Sequence, residues 1–117
     1  MHYIDAFVAA VADTQRDAYT AHAREMAKLF KDYGALRVVD AWGDDVPEGK
    51  LTSFPMAVKR EPGETVVFAW IAWPDKATRD AAHAKMAADP LTQPEHNPMP
   101  FDGRRLIYGG FQTVLDV

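Results

Sequence analysis

Asp5, Asp40, His83 and Tyr108 are the side chains in this sequence best placed to move a proton in a pocket. Asp5 lies between Tyr3 and Phe7 in an apolar run, where a carboxylate is expensive to bury unpaired. It reads either as a structural ion pair with Arg104 or Arg105, or as a general base lining a pocket. Asp40 shares one face of a second apolar run with Leu36, Val38 and Trp42. An acid beside an indole can hold a polar atom on an otherwise apolar ligand, although strand ends meet solvent in the same way. His83 follows Arg79 by one helical turn among small alanines, so it is either a proton-transfer group facing a sheet or a solvent-facing histidine. Tyr108, in the last apolar run, either donates a proton or packs with its hydroxyl satisfied. Trp42, Trp70, Arg79 and Arg105 are the candidate ligand-binding side chains.

Other chemistries find less support. The chain has no cysteine, which removes disulfides, thiolate metal sites and cysteine nucleophiles. The histidines His2, His22, His83 and His96 contain no helical i, i+3 or i, i+4 pair that would clamp a metal. The acidic stretch "DAWGDDVPEGK" lacks the alternating ligand spacing of a calcium loop, and Asp44, Asp45 and Glu48 read as turn residues. No nucleotide-binding glycine loop, nucleophile elbow or zinc-protease helix motif is present. No metal and no cofactor is expected.

The elements that must position these residues follow from periodicity. Residues 3 to 11 read as a first strand. From Thr14 to Tyr33 the residues Tyr19, Ala23, Met26, Phe30 and Tyr33 recur at steps of four and three, predicting an amphipathic helix capped by Asp13 or Thr14 and stopped at Gly34. "ALRVVDAW" is a second strand, followed by a long turn. For "SFPMAVKR" a short helix capped by Ser53 is preferred to an edge strand. "TVVFAWIAW" is the clearest strand, and Asp75 caps a second long helix that ends near Asp89, ahead of Pro90. Residues 90 to 103, with prolines at 90, 94, 98 and 100, form a loop of the length used for lids and dimer arms. "RRLIYGGFQTVL" is a last strand, its Gly109-Gly110 marking a bulge or a close backbone approach.

This order predicts one α+β domain over residues 1–117: a ferredoxin-like βαββαβ fold, with a four-stranded antiparallel sheet and two helices on one face. In the third long strand Thr65, Val67, Ala69, Ile71 and Trp73 alternate with Val66, Phe68, Trp70 and Ala72, so both faces are apolar. Helices on one side cover only one face. The simplest cover for the other is a second copy, which predicts a homodimer with sheets packed face to face.

The 117 residues and 48% hydrophobic content suit a single core, and the formal charge of −4 argues against a nucleic-acid partner. Asp5 within the N-terminal apolar run and the absence of a long apolar stretch argue against a secretory signal and a membrane span, so a cytoplasmic location is expected.

The segments "YIDAFV", "GALRVVDAWGDDVPEGKLTSF", "ETVVFAWIAWPDKATRDAA", "KMAADP" and "PFDGRRLIYGGF" together resemble the YbaA-like family of small bacterial proteins, a domain-of-unknown-function family. The resemblance covers nearly the whole chain, with Ala6 and Ala69 where Gly and Ser are usual, and a divergent "TQPEHNP" loop. It implies a dimeric α+β barrel, in which ligands sit between helices and sheet, and brings no catalytic residues with it. Two functions are therefore expected in competition. One is a cofactor-independent enzyme acting on a small, partly aromatic metabolite; the other is a non-catalytic dimer binding a small molecule or a protein.

Overall fold

β-Branched and aromatic residues alternating along the apolar runs build four strands in the computed structural model, which describes residues 2–117. The elements are β1 (Tyr3–Ala12), α1 (Arg16–Asp32), β2 (Arg37–Trp42), α2 (Phe54–Ala57), β3 (Glu64–Trp73), α3 (Lys76–Ala87) and β4 (Ile107–Gln112). The sheet runs β2-β3-β1-β4, every pair antiparallel, which is the ferredoxin-like order. Among the described residues, no helix is long and apolar enough to cross a membrane.

α1 and α3 cover one face. Tyr19 and Ala23 of α1 pack on Ala9, Val11 and Val67, while Phe30, Tyr33 and Ala82 pack around Ile71 and the fully buried Trp73. Burying a side chain of this size stabilises by about 1.5–3 kcal/mol, so this layer holds α1 and α3 to the sheet.

The second face carries the third helix. Ser53 caps α2, accepting from the Met56 N–H at 3.1 Å, with Pro55 in the first turn, so the expected short helix forms. It covers only one end of the sheet, where Val58 closes over Val8, Ala10 and Val66 and Phe54 meets the Phe68 ring edge-on. At the other end Trp70 stays half-buried beneath Arg37 and Phe111 is exposed, as is Ile107 on the edge strand beside Val8.

Several local expectations are corrected. α1 opens through a 3-10 turn, Asp13–Gln15, without a side-chain cap. Asp13 instead accepts from the Thr65 hydroxyl and ties the end of β1 to β3. Leu36 precedes β2 rather than joining Asp40 on its inner face; it borders the open face with Arg37 and Trp70. Arg104 and Arg105 sit in a 3-10 turn, Gly103–Arg105, ahead of β4. β1 and β4 pair without interruption through Gly109 and Gly110, so there is no bulge there. The alternative of a close approach holds: a Cβ at Gly110 would lie 2.5 Å from the Tyr3 hydroxyl and 2.8 Å from the Arg79 guanidinium.

Candidate functional site

Asp5 lies on the inner strand β1, on the face toward the helices, opposite Ile71 on β3 and Gly110 on β4. It is 9% exposed, and burial of a carboxylate there demands partners. Arg79 supplies two of them, its Nε and Nη2 donating to Oδ1 at 3.0 and 2.7 Å. Trp73 Nε1 donates to Oδ2 at 2.9 Å, and His83 Nε2 lies 2.9 Å from the same oxygen.

The helix α3 delivers both Arg79 and His83 because side chains four apart share a helix face. Asp75 fixes where that helix begins, accepting from the Thr78 N–H at 2.7 Å, and Ala82 lets it approach Trp73. Gly110 leaves the space beneath the guanidinium open. The bond from Asp5 raises the Arg79 pKa still further above its ordinary value, so this cation is permanent. A neutral His83 bound to a carboxylate through Nε2 carries its proton there and leaves Nδ1 as an acceptor.

Two strands away, Asp40 on β2 accepts from the Tyr19 hydroxyl of α1. Burial and the neighbouring carboxylate hold the Tyr19 phenol well above the usual tyrosine range, so it stays protonated as a donor. Asp5 and Asp40 align with Ile71 and Ala69 of the intervening β3. Two interstrand spacings and a two-residue offset put their Cα atoms about 12 Å apart on one face.

Between the two carboxylates lies a cavity of about 300 Å³. Phe7, Val38, Ala69 and Ile71 are its sheet-side wall, and Tyr19, His22, Ala23, Met26 and Phe30 come from α1. Met99, Phe101 and Leu106, from the chain between α3 and β4, close it further. Two contacts tie that stretch to α1 and the residue that follows it. Tyr33 donates to Asp89 at 2.7 Å, and His22 Nδ1 lies 3.1 Å from Asn97 Oδ1.

Three of the four candidate proton-transfer residues, Asp5, Asp40 and His83, therefore meet around one cavity, and Tyr108 joins them at its rim, 80% exposed. The partner of Asp5 is corrected: it is Arg79 on α3, not Arg104 or Arg105. Arg105 instead grips Glu64 through two bonds of 2.7 and 2.8 Å and the Lys59 carbonyl at 3.0 Å, outside the cavity. Trp70 points to the opposite face. Trp42 packs behind Tyr19, ring centroids 6.1 Å apart, with the Arg16 guanidinium over it. Arg79 stands behind Asp5 rather than in the cavity wall. Tyr19, His22 and Phe101 were not among the expected site residues. Tyr19 had a signal: it is the polar-tipped aromatic at the head of the α1 apolar stripe. Among the described residues, no group of three or more His, Asp or Glu is placed to hold a metal ion.

Comparison with known proteins places this geometry in a family. Residues 2–103 match the family described as "Protein of unknown function (DUF1428)". The chain is 53% identical over 116 residues to the uncharacterised protein YbaA of Escherichia coli K12, covering 99% of both chains, and is equally similar to its counterpart in Shigella flexneri. Among solved structures it is similar to a dimeric ferredoxin-like protein from an uncultured marine organism, with a TM-score of 0.60 and 13% identity over 99% of this chain and 98% of that one.

Proposed function

The chain belongs to the DUF1428 family, and from that premise we propose that it is a cytoplasmic homodimer whose cavity takes a small, partly aromatic metabolite on which His83 moves a proton. The contact that carries this reading is His83 Nε2 against Asp5 Oδ2 at 2.9 Å, at the wall of an otherwise apolar cavity. Asp5 orients the imidazole and stabilises the charge that appears when Nδ1 takes a proton. Arg79 and Trp73 hold Asp5 in place, and the apolar wall strengthens each of these interactions. Asp40 and Tyr19 supply a second polar group across the cavity. The dimer rests on the partly covered outer face of the sheet and on the dimeric state of the marine ferredoxin-like protein.

One observation favours the competing, non-catalytic reading. Both Asp5 oxygens are already occupied by Arg79 and Trp73, as in a purely structural pair. The two readings separate experimentally. A thermal-shift screen of aromatic metabolites finds ligands, and each hit is incubated with the wild type and with His83→Ala while products are followed by mass spectrometry. Turnover that falls by about 10²-fold or more in the variant supports proton transfer by His83. Binding with no product from either protein supports the non-catalytic dimer.

A further inference from the structure

We propose that the ligand of this cavity carries a hydrogen-bond donor, a hydroxyl or a protonated amine, which Asp40 receives, and that the site rejects carboxylates and phosphates. The inference rests on the cavity being the ligand site and adds the class of ligand. Its basis is which polar groups are still open around the cavity. No lysine or arginine is in the wall. The nearby guanidinium of Arg79 is turned onto Asp5 and Asp80, that of Arg16 lies over the Trp42 ring, and that of Arg105 is held by Glu64.

Of the donors that reach the wall, three are engaged, and a fourth, the Tyr108 hydroxyl, stands at the exposed rim. The Tyr19 hydroxyl is given to Asp40, His83 Nε2 to Asp5, and His22 Nδ1 faces Asn97. An entering anion would meet two carboxylates, with no lysine or arginine in the wall to offset its lost hydration. Asp5 has its oxygens filled, but Asp40 accepts a single bond, at Oδ1, and forms no ion pair among the described residues. Its second oxygen accepts no hydrogen bond, and Asp40 is part of the lining of a largely apolar chamber. A donor placed there forms a charge-assisted bond, the stronger kind, while an acceptor is repelled.

Toluene, benzyl alcohol, benzylamine and benzoate share one ring and differ in the group presented to Asp40. Each is titrated into the full-length protein while the Met26 and Met99 methyl resonances are followed by NMR. Benzyl alcohol and benzylamine should bind roughly tenfold or more tightly than toluene, and benzoate more weakly than toluene, as the worth of a bond to a charged acceptor requires. Asp40→Leu should abolish the advantage of both donors over toluene. Asp40→Asn, which keeps an acceptor and removes the charge, should reduce the advantage of benzylamine over toluene more than that of benzyl alcohol. Asp40 lies on an edge strand and is exposed, and the wild-type ranking stands without either variant. Benzoate binding as tightly as the alcohol, or an unchanged ranking in Asp40→Leu, overturns this inference and leaves the cavity as a ligand site. If none of the four, toluene included, moves Met26 or Met99, the cavity reading fails and this inference falls with it.

Discussion

Replacing Arg79 by methionine removes the permanent cation from a carboxylate that remains buried. The Asp5 and Arg79 side chains are 12% and 18% exposed, so neither is rescued fully by water. Breaking a buried pair from one side costs about 3–5 kcal/mol, because the remaining charge is left uncompensated. Here Trp73 and His83 still contact Asp5, which lowers the expected loss to about 2–4 kcal/mol. In a chain of this length that corresponds to a melting temperature lower by roughly 8–15 °C. Adding Asp5→Asn should restore at least half of the loss: the amide carries no charge, and its oxygen, in the place of Oδ2, still accepts from Trp73 and meets His83. Urea unfolding followed by tryptophan fluorescence, at one protein concentration for all variants, measures both steps. The reasoning is refuted if Arg79→Met changes stability by less than about 0.5 kcal/mol, or if Asp5→Asn and Arg79→Met simply add.

Two further outcomes follow from features away from the cavity. Arg105 holds the Glu64 carboxyl below the usual glutamate range. The stability from this pair is therefore complete above the unfolded value of about 4.3 and is lost as pH falls through the lower folded value. Glu64→Gln should lower the melting temperature at neutral pH and flatten its decline in acid, and parallel declines for the two proteins would contradict the assignment. On the outer face, Trp70→Asp places a charge in the middle of the proposed dimer interface. Sedimentation should show the wild type as a dimer and the variant as a monomer; an unchanged dimer would locate the interface elsewhere.

The strands and helices were readable because each has its own period in the sequence. Val66 to Trp73 alternates on both faces, and Tyr19 to Tyr33 follows the helical repeat. The short α2 was announced by Ser53 and Pro55, which act within a few residues. The start of α1 was misread because Asp13 has a choice between a local cap and a distant hydroxyl, and Thr65 becomes available only once β1 and β3 have paired. The partner of Asp5 was missed for a similar reason. Strand pairing suggested a neighbour near β4, whereas the reach of Arg79 depends on the rotation of α3 over the sheet. The alanines near His83 pointed to that helix face, and they were the better signal. A cavity between helices and sheet is expected from the resemblance, but its full lining was not legible, since it is a gap left among residues drawn from β1, α1, β2, β3, α3, β4 and the closing loop.

Gly110 has a consequence for folding as well as for the site. β4 is short, largely exposed and contains two adjacent glycines, so its own side chains do little to fix its alignment with β1. Sliding β4 by one residue would turn its faces over, sending Tyr108 outward and Phe111 inward. Sliding it by two keeps the faces sorted, but brings Tyr108 or Gln112 opposite Asp5, where Arg79 and the Tyr3 ring leave no room for a Cβ. The ion pair at the heart of the candidate site thus acts as a register pin for the edge strand. The carboxylate that orients His83 also selects, among nearly equivalent alignments, the one in which Tyr108 stands at the cavity rim.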